Sequence, residues 1–175
     1  MLNRYYGVFE NGKIKTRGIE ARRRDTPKFI FDAQMEMIKK LAEARNSREF
    51  VGKIPQALEV AKQYKQRLLN GEIPLWDLIV TKHLSKDPAR YKQKVSQVIA
   101  AEQLMKEGAE VSAGKNIRFL FTSAENRRYE RRVRTKELVD AGKRYDLEKY
   151  LHLLRSATEN LLNGVGAFTT RFGTI

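Results

Sequence analysis

Arginine and lysine clusters are the side chains whose types and spacing point to a specific chemistry, the binding of phosphate groups. Arg22, Arg23 and Arg24 follow a short extended segment that also carries Arg17, and a second basic block lies between residues 125 and 136. Guanidinium groups donate paired hydrogen bonds to phosphate oxygens, and ammonium groups act as point charges. Each cluster could instead be a solvated turn or loop. We favour phosphate contact because three consecutive arginines exceed what solubility requires.

Two further pairs of residues offer hydrogen-bond donors near a predicted strand end. Thr81-Lys82 ends that strand and Tyr91-Lys92 follows a turn, so a hydroxyl, a phenol and two cations occur close together. The sequence lacks the pattern of aromatic residues on a sheet by which single-strand readers stack bases. We therefore expect contacts to a sugar-phosphate backbone without base readout.

The charge of the whole chain agrees with a polyanionic partner. The 175 residues contain 35 Lys and Arg against 21 Asp and Glu, a net charge of +14. This excess favours nucleic acid, with an anionic membrane as the second candidate. No apolar run approaches the roughly 20 residues of a membrane span, and nothing resembles a signal peptide. We expect a cytoplasmic protein without a membrane partner.

Residue sets for catalysis are not found in the sequence. Its two histidines, His83 and His152, lie far apart, and there is no cysteine, phosphate-binding loop or HExxH motif. Glu10 and Glu20 have no Asp-x-Asp companion, which two-metal phosphoryl transfer would require. We expect no metal ion and no cofactor on this chain. The residues indicate a binding protein that is not a self-sufficient catalyst.

Apolar spacing and turn residues predict an α+β, mostly helical fold. Predicted helices cover residues 29–44, 55–69, 95–106 and 146–162. Predicted strands form a hairpin around Asn11-Gly12 and cover residues 77–82 and 116–122. We expect Asp25 or Thr26 to cap the first helix and Trp76 to serve in packing rather than in base stacking. The basic block could be a mobile surface loop, but we favour contact with DNA. The expected division is 1–75, a hairpin with helices, and 76–175, a helical subdomain.

In this order, the motifs resemble the C-terminal end of a family B DNA polymerase of archaeal type. Arg4-Tyr5 is similar to the end of the family's Lys-x-Tyr element. Thr16-Arg17-Gly18-Ile19-Glu20 is similar to its palm hairpin, and Arg23-Arg24-Asp25 is similar to the Arg-Arg-Asp sequence at the start of its next helix. Its thumb segments are similar to Thr81-Lys82-His83-Leu84, Tyr91-Lys92, Gly108 with Gly114, Lys143-Arg144-Tyr145-Asp146 and Gly164-Val165-Gly166. The resemblance covers nearly the whole chain. It departs at Asn3, at Ser96-Gln97 and over residues 122–137, and the catalytic aspartate motifs of the family are missing.

The resemblance implies a palm-end and thumb region that grips primer-template duplex. The residues expected to touch DNA are Arg4, Tyr5, Arg17, Arg23, Arg24, Thr81, Lys82, Tyr91, Lys92, Arg127, Arg128, Arg131, Arg132, Lys143, Arg144 and Tyr145. Catalytic aspartates and Mg²⁺ would then belong to a large partner subunit, and a sliding clamp is a further candidate partner. The start at Met1, just past the position of those aspartates, favours a small subunit of a split polymerase.

Three alternatives remain open at this point. A stand-alone duplex-binding module derived from a polymerase would bind DNA without a catalytic partner. An excised fragment of a full polymerase would have the same residues. An unrelated basic RNA-binding protein would share the charge, because charge alone does not separate RNA from DNA.

Overall fold

The computed structural model describes residues 5–9, 11–142 and 144–163, which form helices and small antiparallel sheets. The helices are α1 (Lys28–Ala42), α2 (Ser47–Leu69), α3 (Ser96–Lys106) and α4 (Leu147–Leu162). The strands are β1 (Tyr5–Val8), β2 (Ile14–Arg17), β3 (Val80–His83), β4 (Asn116–Phe121) and β5 (Val133–Thr135). The expected α+β, mostly helical class is confirmed. None of the helices in this part of the chain is long and apolar enough to cross a membrane.

The chain divides into two compact units. The first contains the described residues up to Ile73 and from Leu151 on, and the second runs from Pro74 to Tyr150. Most of α4 therefore belongs with the N-terminal helices, whereas the sequence-based division placed it with residues 76–175. The physical reason is burial, since Leu154, Ala157 and Leu161 are at most 2% exposed.

The core of the first unit is built from the apolar faces of its helices. On α1, residues at three- and four-residue spacing are buried, including Phe29, Ala33, Met37 and Leu41. On α2, Tyr64 packs its ring against Phe29 with the ring centroids 5.9 Å apart. The spacing of apolar residues thus selected the buried faces correctly.

A variant of the capping box, in which the glutamate accepts from the residue before the N-cap, starts α2 eight residues earlier than the sequence predicts. The Asn46 side chain accepts a hydrogen bond from Glu49 N at 2.9 Å, and the Glu49 carboxylate accepts one from Arg45 N at 2.9 Å. Pro55 consequently lies inside α2. The predicted start at residue 55 is wrong because the box and the burial of Ile54 together outweigh the cost of an internal proline.

The start of α1 also differs from the expectation. Pro27 occupies the N-cap position and no side chain caps the helix. Thr26 Oγ1 instead donates to Glu20 O at 2.6 Å, and the Asp25 carboxylate binds Arg23. The prediction that Asp25 or Thr26 caps α1 is therefore wrong, because both side chains bind residues of the preceding turn.

The N-terminal hairpin forms as the sequence predicts, and two of its apolar side chains are exposed to solvent. Gly12 has a φ of 77°, which favours glycine in this turn, and β1 pairs with β2 in antiparallel register. Val8 and Phe9 are 40% and 52% exposed. The Tyr6 hydroxyl is buried without a partner among the described residues, and this burial raises the pKa of Tyr6 to about 12.

The second unit contains a three-stranded antiparallel sheet in which β4 lies between β3 and β5. The helix α3 packs against β4 and β5. The strand predicted at 77–82 is partly wrong, because Leu75–Leu78 forms a 3-10 helix and β3 begins only at Val80. Trp76 lies on that short helix, is 59% exposed and has Lys136 Nζ 5.8 Å from its ring centre.

An ion-pair cluster in the first unit predicts a specific acid sensitivity. Hydrogen bonds from Lys53 and Lys40 lower the pKa of Glu43 from 4.5 to about 2. Since the folded-state pKa is lowered, this stabilisation is present above about pH 4.5 and is lost as the pH falls towards about 2. We expect Glu43→Gln to lower the melting temperature at pH 7, and the difference from wild type to shrink steadily below pH 4.5. Melting curves at a series of pH values measure this, and a difference that does not change with pH contradicts it.

Candidate nucleic-acid interface

The register of the second unit's sheet separates two of the predicted contacts. Thr81 pairs with Arg118 and Lys82 pairs with Ile117. Adjacent residues of a strand point to opposite faces. Thr81 therefore shares the face of Arg118, whereas Lys82 lies on the face of the buried Ile117. The two residues cannot bind the same phosphate group as a pair.

Lys82 lies in an open groove that we call the lysine groove, defined by Lys82, Lys94, Arg132 and Lys149. Its volume is about 580 Å³, and the first residues of α3, including Ser96, form part of its wall. Glu125 is the one carboxylate among its lining residues. The lining residues carry four cations and one carboxylate, and Lys94 is also paired with Glu102, so an excess of positive charge remains to attract an anionic ligand.

Neighbouring groups hold Lys94, Arg132 and Lys149 in place. Lys94 pairs with Glu102 and lies 5.6 Å from the ring centre of Tyr129. Lys149 lies over the Phe121 ring at 5.4 Å, and Arg132 Nε donates to Asn126 O at 2.7 Å. Lys149 and Arg132, which are held by a ring and a carbonyl oxygen, lose less conformational entropy when they bind a phosphate, whereas Glu102 competes with phosphate for Lys94.

A second groove of the same unit, the arginine groove, is defined by Arg131, Arg134 and Arg144. Its volume is also about 580 Å³, and Glu130 is the carboxylate among its lining residues. Thr122 and Ser123 add hydroxyl groups to the wall. This groove brings together the predicted residues Arg131 and Arg144, which lie far apart in the sequence.

The basic block contains regular structure and is not simply a mobile surface loop. Tyr129–Arg131 forms a short 3-10 helix, and Val133–Thr135 is strand β5, paired with β4. Val133 and Thr135 are buried, and β5 is held further by Gln103, whose amide bonds both Val133 O and Thr135 N at 2.8 Å. Arg127 and Arg128 precede this structure and are exposed.

Two motifs of the family resemblance have clear structural roles. The Tyr91 hydroxyl accepts a hydrogen bond from Ser85 N at 3.0 Å, and this closes the turn after β3, while Lys92 is exposed. The Asp146 carboxylate accepts from Lys149 N at 2.9 Å and so caps α4, and the Tyr145 ring packs on Tyr150 with the centroids 5.9 Å apart. Lys143 lies outside the described residues.

In the first unit, the predicted contacts lie on and after the hairpin. Tyr5 and Arg17 pair directly across the two strands and both are exposed. Arg23 binds Asp25 through two hydrogen bonds of 2.9 Å and 2.8 Å, which occupy the fork of its guanidinium group. Arg24 is exposed, and Arg4 lies outside the described residues.

Lys94, Arg134 and Lys149 are groove residues that the sequence analysis did not select. Lys149 is in the first turn of α4, where spacing alone does not indicate which groove it enters. Lys94 is close to Lys92 in the sequence, and Arg134 belongs to the basic block. For these two residues alone, the neighbouring cations gave a weak indication of phosphate contact. In the part of the chain that the structure describes, no group of three or more His, Asp or Glu could hold a metal ion.

A protein-family model, DNA polymerase family B, matches residues 3–165 of this chain. Two curated proteins named DNA polymerase, from Thermococcus sp. (strain 9oN-7) and Pyrococcus horikoshii, are each 25% identical over 164 residues and 93% of this chain. The chain spans only 20% and 13% of their lengths.

A solved structure shows the same fold. The family B DNA polymerase of the hyperthermophilic archaeon Pyrobaculum calidifontis aligns with a TM-score of 0.75 at 20% identity. The alignment covers 98% of this chain and 21% of that polymerase chain.

Proposed function

Because this chain belongs to DNA polymerase family B, we propose that it is the palm-end and thumb part of such a polymerase and grips primer-template duplex. The observation that carries the proposal is the pair of cation-lined grooves in the second unit, which we assign to the thumb. Lysine and arginine side chains that neutralise phosphates release counterions, and this supplies affinity that does not depend on sequence. The grip is therefore on the sugar-phosphate backbone.

In this proposal, the catalytic groups of the polymerase do not belong to this chain. The described residues contain no carboxylate cluster that would fit Mg²⁺, so a magnesium-dependent step is not assigned to them. Catalytic aspartates and their Mg²⁺ would be contributed by a large polymerase subunit on another polypeptide, which this chain completes. A sliding clamp is a second candidate partner, although the tail from Phe168 to Ile175 lies outside the described residues.

Lys82→Ala tests the duplex grip. We expect it to weaken binding of the full chain by a similar factor for duplexes of different sequence, and to reduce the slope of log affinity against log salt by about 1. Arg23→Ala should have a smaller effect because Asp25 already occupies its guanidinium group. Fluorescence anisotropy at several salt concentrations measures both.

The matched control is Lys62→Ala, which removes an exposed lysine of α2 in the first unit. It should leave the affinity and the salt slope close to those of wild type. If the loss of affinity caused by Lys82→Ala differs between DNA sequences, Lys82 takes part in base readout.

The split-polymerase part of the proposal needs a separate test. The chain is used as bait in native extract, the proteins that co-purify are identified, and the purified mixture is assayed for primer extension. We expect a polypeptide with polymerase aspartates whose extension activity rises when this chain is added. Duplex binding by this chain together with unchanged extension would support the alternative, a stand-alone duplex-binding module derived from a polymerase.

A further inference from the structure

We propose that the lysine groove and the arginine groove hold the two strands of a duplex separately, with residues 122–132 lying between the strands. These residues, which connect β4 to β5, are called the connecting segment below. The inference rests on the duplex binding proposed above and specifies how the second unit would achieve it.

The connecting segment forms part of the wall of both grooves. Ala124 and Glu125 line the lysine groove, whereas Asn126 lines the arginine groove. The neighbours Arg131 and Arg132 likewise line different grooves. A single stretch of chain therefore separates the two cation-lined surfaces, and each surface receives its own arginine from it.

The distribution of charge favours two separate phosphate chains over one that crosses between the grooves. The connecting segment contributes one carboxylate to each groove, Glu125 to the lysine groove and Glu130 to the arginine groove. A phosphodiester chain that crossed the segment would pass both carboxylates, and like charges repel. Arg127 and Arg128 are exposed on the segment and are accessible to a strand on either side.

Double-stranded DNA presents two lines of phosphate charge, one for each groove. Its phosphates form two lines held at a fixed separation, together about one charge per 1.7 Å of helix axis. A single strand presents one such line and can occupy only one groove at a time. The two-groove arrangement therefore predicts that duplex and single strand respond differently to loss of one groove.

The test uses the full chain and four proteins: wild type, Lys82→Ala with Lys149→Ala, Arg131→Ala with Arg144→Ala, and all four substitutions together. Affinities for a short duplex and for one of its strands are measured by fluorescence anisotropy over a range of salt. We expect each double variant to bind duplex about tenfold more weakly, with a salt slope reduced by about 2, and the quadruple variant about a hundredfold. On the single strand, each double variant should lose only about twofold, because the other groove remains, and the quadruple variant far more.

The control variant combines Lys39→Ala with Lys62→Ala on exposed positions of the first unit and should behave as wild type. Circular dichroism checks folding, and glutamine replaces alanine in any variant that fails to fold. Equal losses on duplex and single strand, or a double variant with unchanged duplex affinity, would overturn the two-groove arrangement alone. A wild-type chain that binds neither DNA would overturn the proposed function and this inference with it.

Discussion

Replacing Gln34 by glutamate is expected to lower the free energy of unfolding at neutral pH by about 3 kcal/mol. Gln34 is 1% exposed, and its amide group donates to Glu20 Oε2 and to Ala157 O, each at 2.8 Å. Its amide oxygen accepts from Ala21 N at 2.7 Å. Glutamate has nearly the same shape but would place a carboxylate against the Glu20 carboxylate and a carbonyl oxygen. The variant therefore replaces two donated hydrogen bonds by repulsion.

The cost of this substitution should depend on pH. Burial and the neighbouring carboxylate would raise the pKa of the new side chain above the unfolded value of about 4.3. When the variant carboxyl takes up a proton, it can again donate to Glu20. The penalty is thus full above the raised folded-state pKa and falls as the pH approaches about 4.3, where only the loss of the hydrogen bond donated to Ala157 O remains.

Urea unfolding followed by circular dichroism at neutral and at mildly acidic pH measures both effects. Gln63→Glu is the matched control, since Gln63 is exposed on α2 and the same change of charge there should have little effect. A Gln34→Glu protein as stable as wild type at neutral pH would show that the Glu20–Gln34 contact does not hold the first unit together.

The second large effect is expected for Tyr150→Phe, which removes one hydroxyl group from the core of the second unit. Tyr150 is 0% exposed, and its hydroxyl donates to Leu78 O at 2.7 Å and accepts from Phe121 N at 3.1 Å. Phenylalanine keeps the ring contact with Phe121 but leaves a buried carbonyl and a buried N–H without this partner. We expect a loss of about 2 kcal/mol in the free energy of unfolding of this unit.

The chain's one tryptophan provides a local probe for this measurement. Trp76 belongs to the second unit, and unfolding separates its ring from Lys136 Nζ, which lies 5.8 Å from the ring centre, so its fluorescence reports on unfolding of this unit. Tyr5→Phe removes an exposed hydroxyl from the hairpin and serves as the control, with unchanged stability. Equal midpoints for Tyr150→Phe and wild type would contradict the structural role given to this hydroxyl.

Local sequence signals were reliable where a single element determined the outcome. The ends of α3 and α4 lie within one residue of their predicted positions, because apolar spacing and glycine or aspartate boundaries act within one helix. The Asn11-Gly12 hairpin followed from the same local logic. The start of α2 was missed because Pro55 outweighed, in the sequence analysis, the capping box formed by Asn46 and Glu49.

Residues that depend on distant partners were harder to assign. Strand β5 is short, and its pairing with β4 was not evident in a block dominated by arginine. Arg23 was expected to contact phosphate, and only the structure shows its two hydrogen bonds to Asp25. The predicted DNA contacts stay predictions until binding is measured.

The sequence by itself determined the positive charge, the absence of cysteine chemistry, the helical faces and the family resemblance, which the family model confirms. These properties depend on composition, on spacing within one element or on the order of motifs along the chain. Only the tertiary structure decided which cations share a groove. Strand register places Thr81 and Lys82 on opposite faces, and the fold brings Lys149 to Lys82 and Arg144 to Arg131. Such proximity results from long-range pairing and burial, which local spacing does not encode.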